Sequence, residues 1–186
     1  MREIVIHARA GQGAITTASI LAQALFLEGK YAYAFPHFGA ARMGAPMNAF
    51  LRFSDKPIRL RSRIYSPDYV IVVDSTLLRS IDVLKGLKEK GVIICDEREG
   101  IEYPSPQNKQ HIYIVPATRI ALEVMGKPLG NTALLGAFVG STDIIKFSSL
   151  ESAIKKRFSG KTGELNLECA KRGYEFIKKE EIKNEG

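Results

Sequence analysis

Tyr69, Val70, Ile71, Val72, Val73 and Asp74 form an unbroken apolar run closed by an acid. A strand with one wet face alternates polar and apolar residues. A run apolar at every position instead marks a strand covered on both faces, the usual state of the centre of a parallel sheet. Parallel strands need crossover connections, and the neighbouring sequence supplies material for them. Residues 75–90 predict a polar-capped helix stopped by Gly91, and residues 92–95 predict the next strand, so 69–95 reads as a β-α-β unit. Residues 112–115 predict a further buried strand that leads into a short helix over residues 117–125. Residues 97–110, with two prolines and a glycine, read as a surface excursion.

The N-terminal segment repeats the theme. Residues 3–8 form a β-branched run, Gly11, Gln12 and Gly13 follow, and Ile15, Ala18, Leu21, Ala22 and Leu25 recur at helical spacing up to a stop at Gly29. Strand, glycine turn and helix open a doubly wound α/β fold. Residues 31–35 predict a second strand, and residues 36–46, with two prolines and two glycines, predict an irregular loop. Residues 47–53 return to strand composition. Ser54, Asp55, Lys56 and Pro57 make a turn, which allows a hairpin with residues 58–62. Residues 131–140 form an apolar helix of small residues, either internal or part of an interface, and residues 150–158 and 163–180 supply two charged amphipathic helices. The expectation is one α/β domain over residues 1–186. It has a Rossmann-like, mostly parallel sheet flanked by helices, a hairpin excursion and C-terminal helices.

Composition narrows the function classes. No stretch approaches the ~18 apolar residues of a membrane span. The N-terminus lacks the apolar run of a signal peptide, so a cytoplasmic location without membrane contact is expected. Cys95 and Cys169 lack Cys-x-x-Cys spacing and read as buried thiols rather than cluster ligands. The three histidines are scattered, and no metal site is expected. The net charge of +7 attracts polyanions, but its excess sits in residues 52–63 and in the lysine-rich last third, and no nucleic-acid-binding motif accompanies it.

Gly11, Gln12 and Gly13 before a helix either aim backbone amides at a phosphate or make a tight turn that binds nothing. The turn is neither a complete G-x-G-x-x-G nor a Walker A loop. Asp74 has the position of a ribose-binding carboxylate, and either it or Ser75 can cap the following segment; Asp96 has the same ambiguity. His7 reads as a satisfied structural histidine, His37 as a surface contact and His111 as exposed. No catalytic residue is assigned. The loop over residues 35–46 is apolar, glycine-rich and carries Arg42, the character of an interaction surface; Arg42 suits a carboxylate or a phosphate.

Four segments together resemble the gamma subunit of the pyruvate and related 2-oxoacid:ferredoxin oxidoreductases. They are Ile6-His7-Ala8-Arg9-Ala10-Gly11-Gln12-Gly13-Ala14, then residues 35–46 continued through 49–58, then Pro67-Asp68 before the strand ending at Asp74, and finally residues 131–138. The resemblance implies a complex that oxidatively decarboxylates a 2-oxoacid, passes the acyl group to coenzyme A and reduces ferredoxin. It implies alpha, beta and ferredoxin-like delta partner subunits, which carry thiamine diphosphate, Mg and the iron–sulfur clusters. By the resemblance, Gly11, Gln12, Gly13 and Arg42 are the candidates for an interface or for coenzyme A. Ala8 and Ala10 stand where the family has glycines, and Ala41-Arg42-Met43 stands where it commonly has Glu-Arg-Arg. Gly44-Ala45-Pro46 favours the pyruvate or branched-chain type. The alternative is a free-standing Rossmann-like nucleotide-binding oxidoreductase.

Overall fold

The computed structural model describes residues 1–38, 43–107 and 109–184. Its strands are β1 (Arg2–Arg9), β2 (Tyr31–Phe38), β3 (Pro46–Ser54), β4 (Tyr69–Val72), β5 (Val92–Asp96) and β6 (His111–Val115), and its helices are α1 (Ala14–Leu27), α2 (Ala117–Met125), α3 (Asn131–Thr142), α4 (Phe147–Arg157) and α5 (Gly160–Asn184). The strands join in one sheet in the order β2-β3-β1-β4-β5-β6. β1, β4, β5 and β6 pair in parallel, while β3 runs antiparallel to both of its neighbours. The mostly parallel α/β sheet is therefore present, and the 69–74 run lies near its middle with all of β4 buried.

Side-chain alternation divides the sheet into two unlike faces. Ile4, Ile6, Leu51, Ile71 and Ile94 face a core to which all five α-helices contribute. Val5, Phe50, Val70, Val72 and Ile93 face the other way, where Ile64, Val83 and Leu87 cover them from irregular chain. Among the described residues the α-helices thus occupy one face only.

Four local expectations fail for identifiable reasons. Residues 112–115 form β6, but of these only Val115 is buried, because β6 is the edge strand at the far end of the sheet from β2. Residues 36–46 were expected to be irregular, yet Pro36 lies within β2 and Pro46 opens β3, with Phe38 opposite Met47. β2 is an edge strand, where a residue without an N–H is tolerated. The hairpin of residues 47–53 with 58–62 does not form. Both edges of β3 are already taken, by β2 and β1, so the hairpin lies between β2 and β3.

The expected helix over residues 75–90 shrinks to a 3-10 turn, Ser75–Arg79. Asp82 diverts its side chain to the Leu84 amide at 3.0 Å, and Gly86 has φ +78°. A Cβ on Gly86 would stand 2.0 Å from the Tyr65 carbonyl oxygen, so the chain there is pressed against residues 65–66 rather than wound.

α3 settles as internal, since residues 131–140 are all buried. Its small residues let α5 approach until a Cβ on Gly136 would meet the Ala170 carbonyl oxygen at 1.8 Å. A buried Arg52, 1% exposed, organises the opposite face. Its Nε donates to Glu3 at 2.7 Å, and its Nη1 and Nη2 donate to the carbonyls of Ser62 and Arg63 at 2.7 and 3.1 Å, which fixes the strap over residues 58–66.

Candidate functional site

β1 ends at Arg9 and the chain turns through Gly11 and Gly13, whose φ angles of +97° and +81° favour glycine. Gly13 is the N-cap of α1 and no side chain caps that end, so the first-turn amides face outward with the positive end of the helix dipole.

Gln12 does not point into open space. Its Oε1 accepts from the Arg9 amide at 2.8 Å and its Nε2 donates to Asp74 Oδ2 at 2.7 Å. Arg9 reaches the same place, with its Nη2 3.0 Å from Thr76 Oγ1 and its Nε 3.3 Å from Asp74. Asp74 Oδ1 accepts from the Thr76 amide at 3.0 Å and from its hydroxyl at 2.6 Å. Burial pushes the Asp74 carboxyl upward, but the donors Thr76 and Gln12 outweigh it and leave the pKa below the ordinary value. Asp74 is thus a cap and a tie between the β1 and β4 loops, with both oxygens engaged. Asp96 plays the same part for α2, accepting from the Thr118 amide at 2.9 Å; burial raises its pKa against that hydrogen bond.

The glycine turn opens into a pocket of about 240 Å³ shared with Lys127, Asn131, Thr162 and Asn166. The N-terminus of α3 and the first turn of α5 therefore meet the N-terminus of α1. Gly130, the N-cap of α3, also leaves its helix without a side-chain cap. Helix N-termini brought together with one lysine, and no acid in the lining, can attract an anion, while Met125, Leu129 and Phe158 add an apolar wall. Lys127 forms no ion pair among the described residues. Asn131 Nδ2 would lie 3.1 Å from a Cβ on Gly13, so the first and fourth sequence segments touch here and a side chain would be tightly pressed against Asn131. Asn166 Nδ2 donates to the Thr162 carbonyl at 2.8 Å and its Oδ1 accepts from Thr132 at 3.1 Å, which fixes the far wall.

Of the four predicted site residues, Gly11, Gln12 and Gly13 come together around this pocket, and Arg42 lies outside the described residues. The adjoining residues bring the second sequence segment to the first. The Gly44 amide donates to the Ala10 carbonyl at 3.2 Å, the Ala10 amide to the Ala45 carbonyl at 2.9 Å, and Arg9 Nη1 to the Gly44 carbonyl at 3.2 Å. Lys127, Thr162 and Asn166 were missed, because each is an ordinary polar residue far away in sequence. Only Gly130-Asn131 carried a signal, as a glycine before a helix.

His7 is buried and hydrogen-bonds to the Asn48 side chain, but its Nδ1 has no partner, so the satisfied histidine that was expected is satisfied only in part. His37 hydrogen-bonds to Arg63, and His111 is exposed. Cys95 and Cys169 are buried, and burial pushes their thiols up to about 12 and about 11. Among the described residues no helix is long and apolar enough to cross a membrane.

Residues 3–176 match the family model of the pyruvate ferredoxin/flavodoxin oxidoreductases. The chain belongs to this family. Among its relatives is the common gamma subunit of the pyruvate and ketoisovalerate oxidoreductases of Pyrococcus furiosus, 48% identical over 178 residues, which cover 94% of this chain and 96% of that one. Subunit PorC of the pyruvate synthase of Methanothermobacter thermautotrophicus is 46% identical over 179 residues, covering 96% of this chain and 97% of that one. The crystal structure of pyruvate oxidoreductase subunit PORC from Thermotoga maritima matches with a TM-score of 0.81 at 38% identity, covering 94% of this chain and 95% of that one. The family likeness thus extends over nearly the whole chain, and the glycine turn and the pocket residues Lys127 and Asn131 all fall within the matched region.

Proposed function

We propose that this chain is the gamma subunit of a 2-oxoacid:ferredoxin oxidoreductase of the pyruvate type, and that its three-helix pocket holds a phosphate group of coenzyme A. The observation that carries the first part is the 48% identity, across almost the full length of both chains, to a subunit named for that role. The name of that relative assigns one gamma subunit to both a pyruvate and a ketoisovalerate enzyme. A shared subunit cannot be what chooses the 2-oxoacid, so the substrate pocket belongs to the alpha and beta subunits. Thiamine diphosphate, Mg and the iron–sulfur clusters belong to the partner subunits too, the clusters to a ferredoxin-like delta chain.

Coenzyme A accepts the acyl group through its thiol; this chain acts at the other end of that molecule. The unpaired amides at the starts of α1 and α3 donate to phosphate oxygens, and Lys127 adds a cation. Gln12, Arg9 and Asp74 hold the turn in the conformation that presents those amides. Arg42, two residues before Gly44 in the sequence, is proposed as a second phosphate or partner contact. The reading is supported by a lining that sets Lys127, Asn131, Thr162 and the glycine turn beside Met125, Leu129 and Phe158 and lacks acids, and by a Gly13 whose φ of +81° and 3.1 Å approach to Asn131 disfavour a side chain. A free-standing nucleotide-binding oxidoreductase is less well supported, since the carboxylate needed for a ribose, Asp74, already serves as a cap.

Omission from a reconstituted complex tests the subunit role. Alpha, beta and delta chains with this chain reduce ferredoxin in the presence of pyruvate and coenzyme A; without it, that activity is lost. Equal activity in its absence, with no co-purification of the partners, refutes the assignment.

A further inference from the structure

On the face without α-helices, three polar side chains lie in one row across three strands. His37, Asn48 and His7 are register partners on β2, β3 and β1, beside the apolar Val5, Phe50, Val70 and Val72 of the same face. Polar groups set into an apolar face cost stability unless they find partners. His7 is 8% exposed and hydrogen-bonds to Asn48, but its Nδ1 has no partner. Burial lowers its pKa to about 4, so at neutral pH the ring offers hydrogen bonding rather than charge.

These residues floor a cleft of about 300 Å³, at the small end of the range for small-molecule sites. The strap pinned by Arg52 forms one wall and holds Arg63 over His37, with which the guanidinium hydrogen-bonds. Arg63 and Lys85, both on the lining, form no ion pair among the described residues. The one acid on the lining, Asp82, accepts the Leu84 amide at 3.0 Å. Phe50, stacked on His37 with ring centroids 5.9 Å apart, supplies an apolar surface.

We propose that this cleft is a binding site for a small organic anion. Its anionic group sits against Arg63 and Lys85, its apolar body rests on Phe50, and a second polar group meets His7 and Asn48. The site lies on the face of the sheet opposite the helices that form the coenzyme A pocket and does not depend on that reading. A carboxylate and a phosphate monoester share this chemistry.

The test uses the full chain, with long-range ¹H–¹⁵N spectra of the histidine rings recorded during titration with 4-hydroxybenzoate and, separately, phenyl phosphate. The His7 and His37 signals shift saturably with at least one probe, and the probe that binds more tightly identifies the anion class. Arg63→Ala weakens the midpoint about tenfold, as expected for loss of one charge-assisted contact. Arg61→Ala, outside the cleft, leaves it unchanged. Lys85→Ala provides an independent reading if the Arg63 variant does not fold. Absence of a saturable His7 shift with both probes, or equal affinity in the Arg63 and Lys85 variants, overturns the proposal and returns His7 to a plain core histidine.

Discussion

α3 and α5 approach each other backbone to backbone at Gly136 and Gly173, and Gly136→Ala probes that approach directly. The new Cβ would stand 1.8 Å from the Ala170 carbonyl oxygen, against ordinary contact from 3.4 Å, so the helices would have to part by about 1.6 Å (3.4 − 1.8). The obstacle is backbone, which no rotamer change relieves. Gly173 faces the Ala133 carbonyl in the reverse sense, at 2.0 Å, so α5 has no free direction in which to slide. Parting the helices loosens the fully buried Leu134, Leu135 and Ile177. Overpacking costs about 1–3 kcal/mol and more where backbone moves, so the upper end applies. Alanine in a helix returns about 1 kcal/mol relative to glycine. The net loss is about 2 kcal/mol. Equilibrium unfolding in urea reads this as a midpoint lowered by about 1 M at an unchanged slope of about 2 kcal/mol/M. An unchanged or raised midpoint would refute the close approach of the two helices.

Two further perturbations address the face without α-helices. His7 has its folded pKa lowered to about 4 from 6.5, so only the unfolded chain takes up its proton in that window. Its contribution is complete above pH 6.5 and is lost as pH falls towards 4, a difference of about 3 kcal/mol at ~1.4 kcal/mol per pKa unit. The unfolding free energy of the wild type, measured against that of His7→Asn across this range, should fall by that amount; parallel curves would contradict it. Arg52→Met removes the partner of Glu3 and of two carbonyls at a buried position. The expected loss is about 3 kcal/mol, with faster amide hydrogen exchange confined first to residues 62–66; uniform exchange would show that Arg52 does not pin the strap.

The parallel core was legible because its residues answer to local rules. Residues 69–74, 92–95 and 112–115 are apolar at nearly every position, and residues 117–125 read as a short helix, so each formed the element expected, although residues 112–115 lie in an edge strand where only Val115 is buried. The failures came where partners distant in sequence decide. Pro36 reads as a breaker, and only the edge position of β2 makes it harmless. Residues 75–90 carry helical spacing, but Gly86 must fit beneath Tyr65. Arg52 looked like one more basic residue, whereas its value lies in carbonyls ten and eleven positions on. The site was half legible. Glycine before a helix exposes amides by a local rule, so Gly11–Gly13 could be found. Nothing in the sequence says that Lys127, Thr162 and Asn166 would converge on that turn.

The steady-state KM for coenzyme A of the reconstituted complex tests the central claim most directly. With Lys127→Ala in this chain, the loss of one phosphate contact raises that KM about tenfold, equivalent to ~1.4 kcal/mol, and leaves kcat and the KM for pyruvate unchanged. An unchanged KM for coenzyme A, or an equal rise in both KM values, would contradict the assignment of the three-helix pocket to coenzyme A.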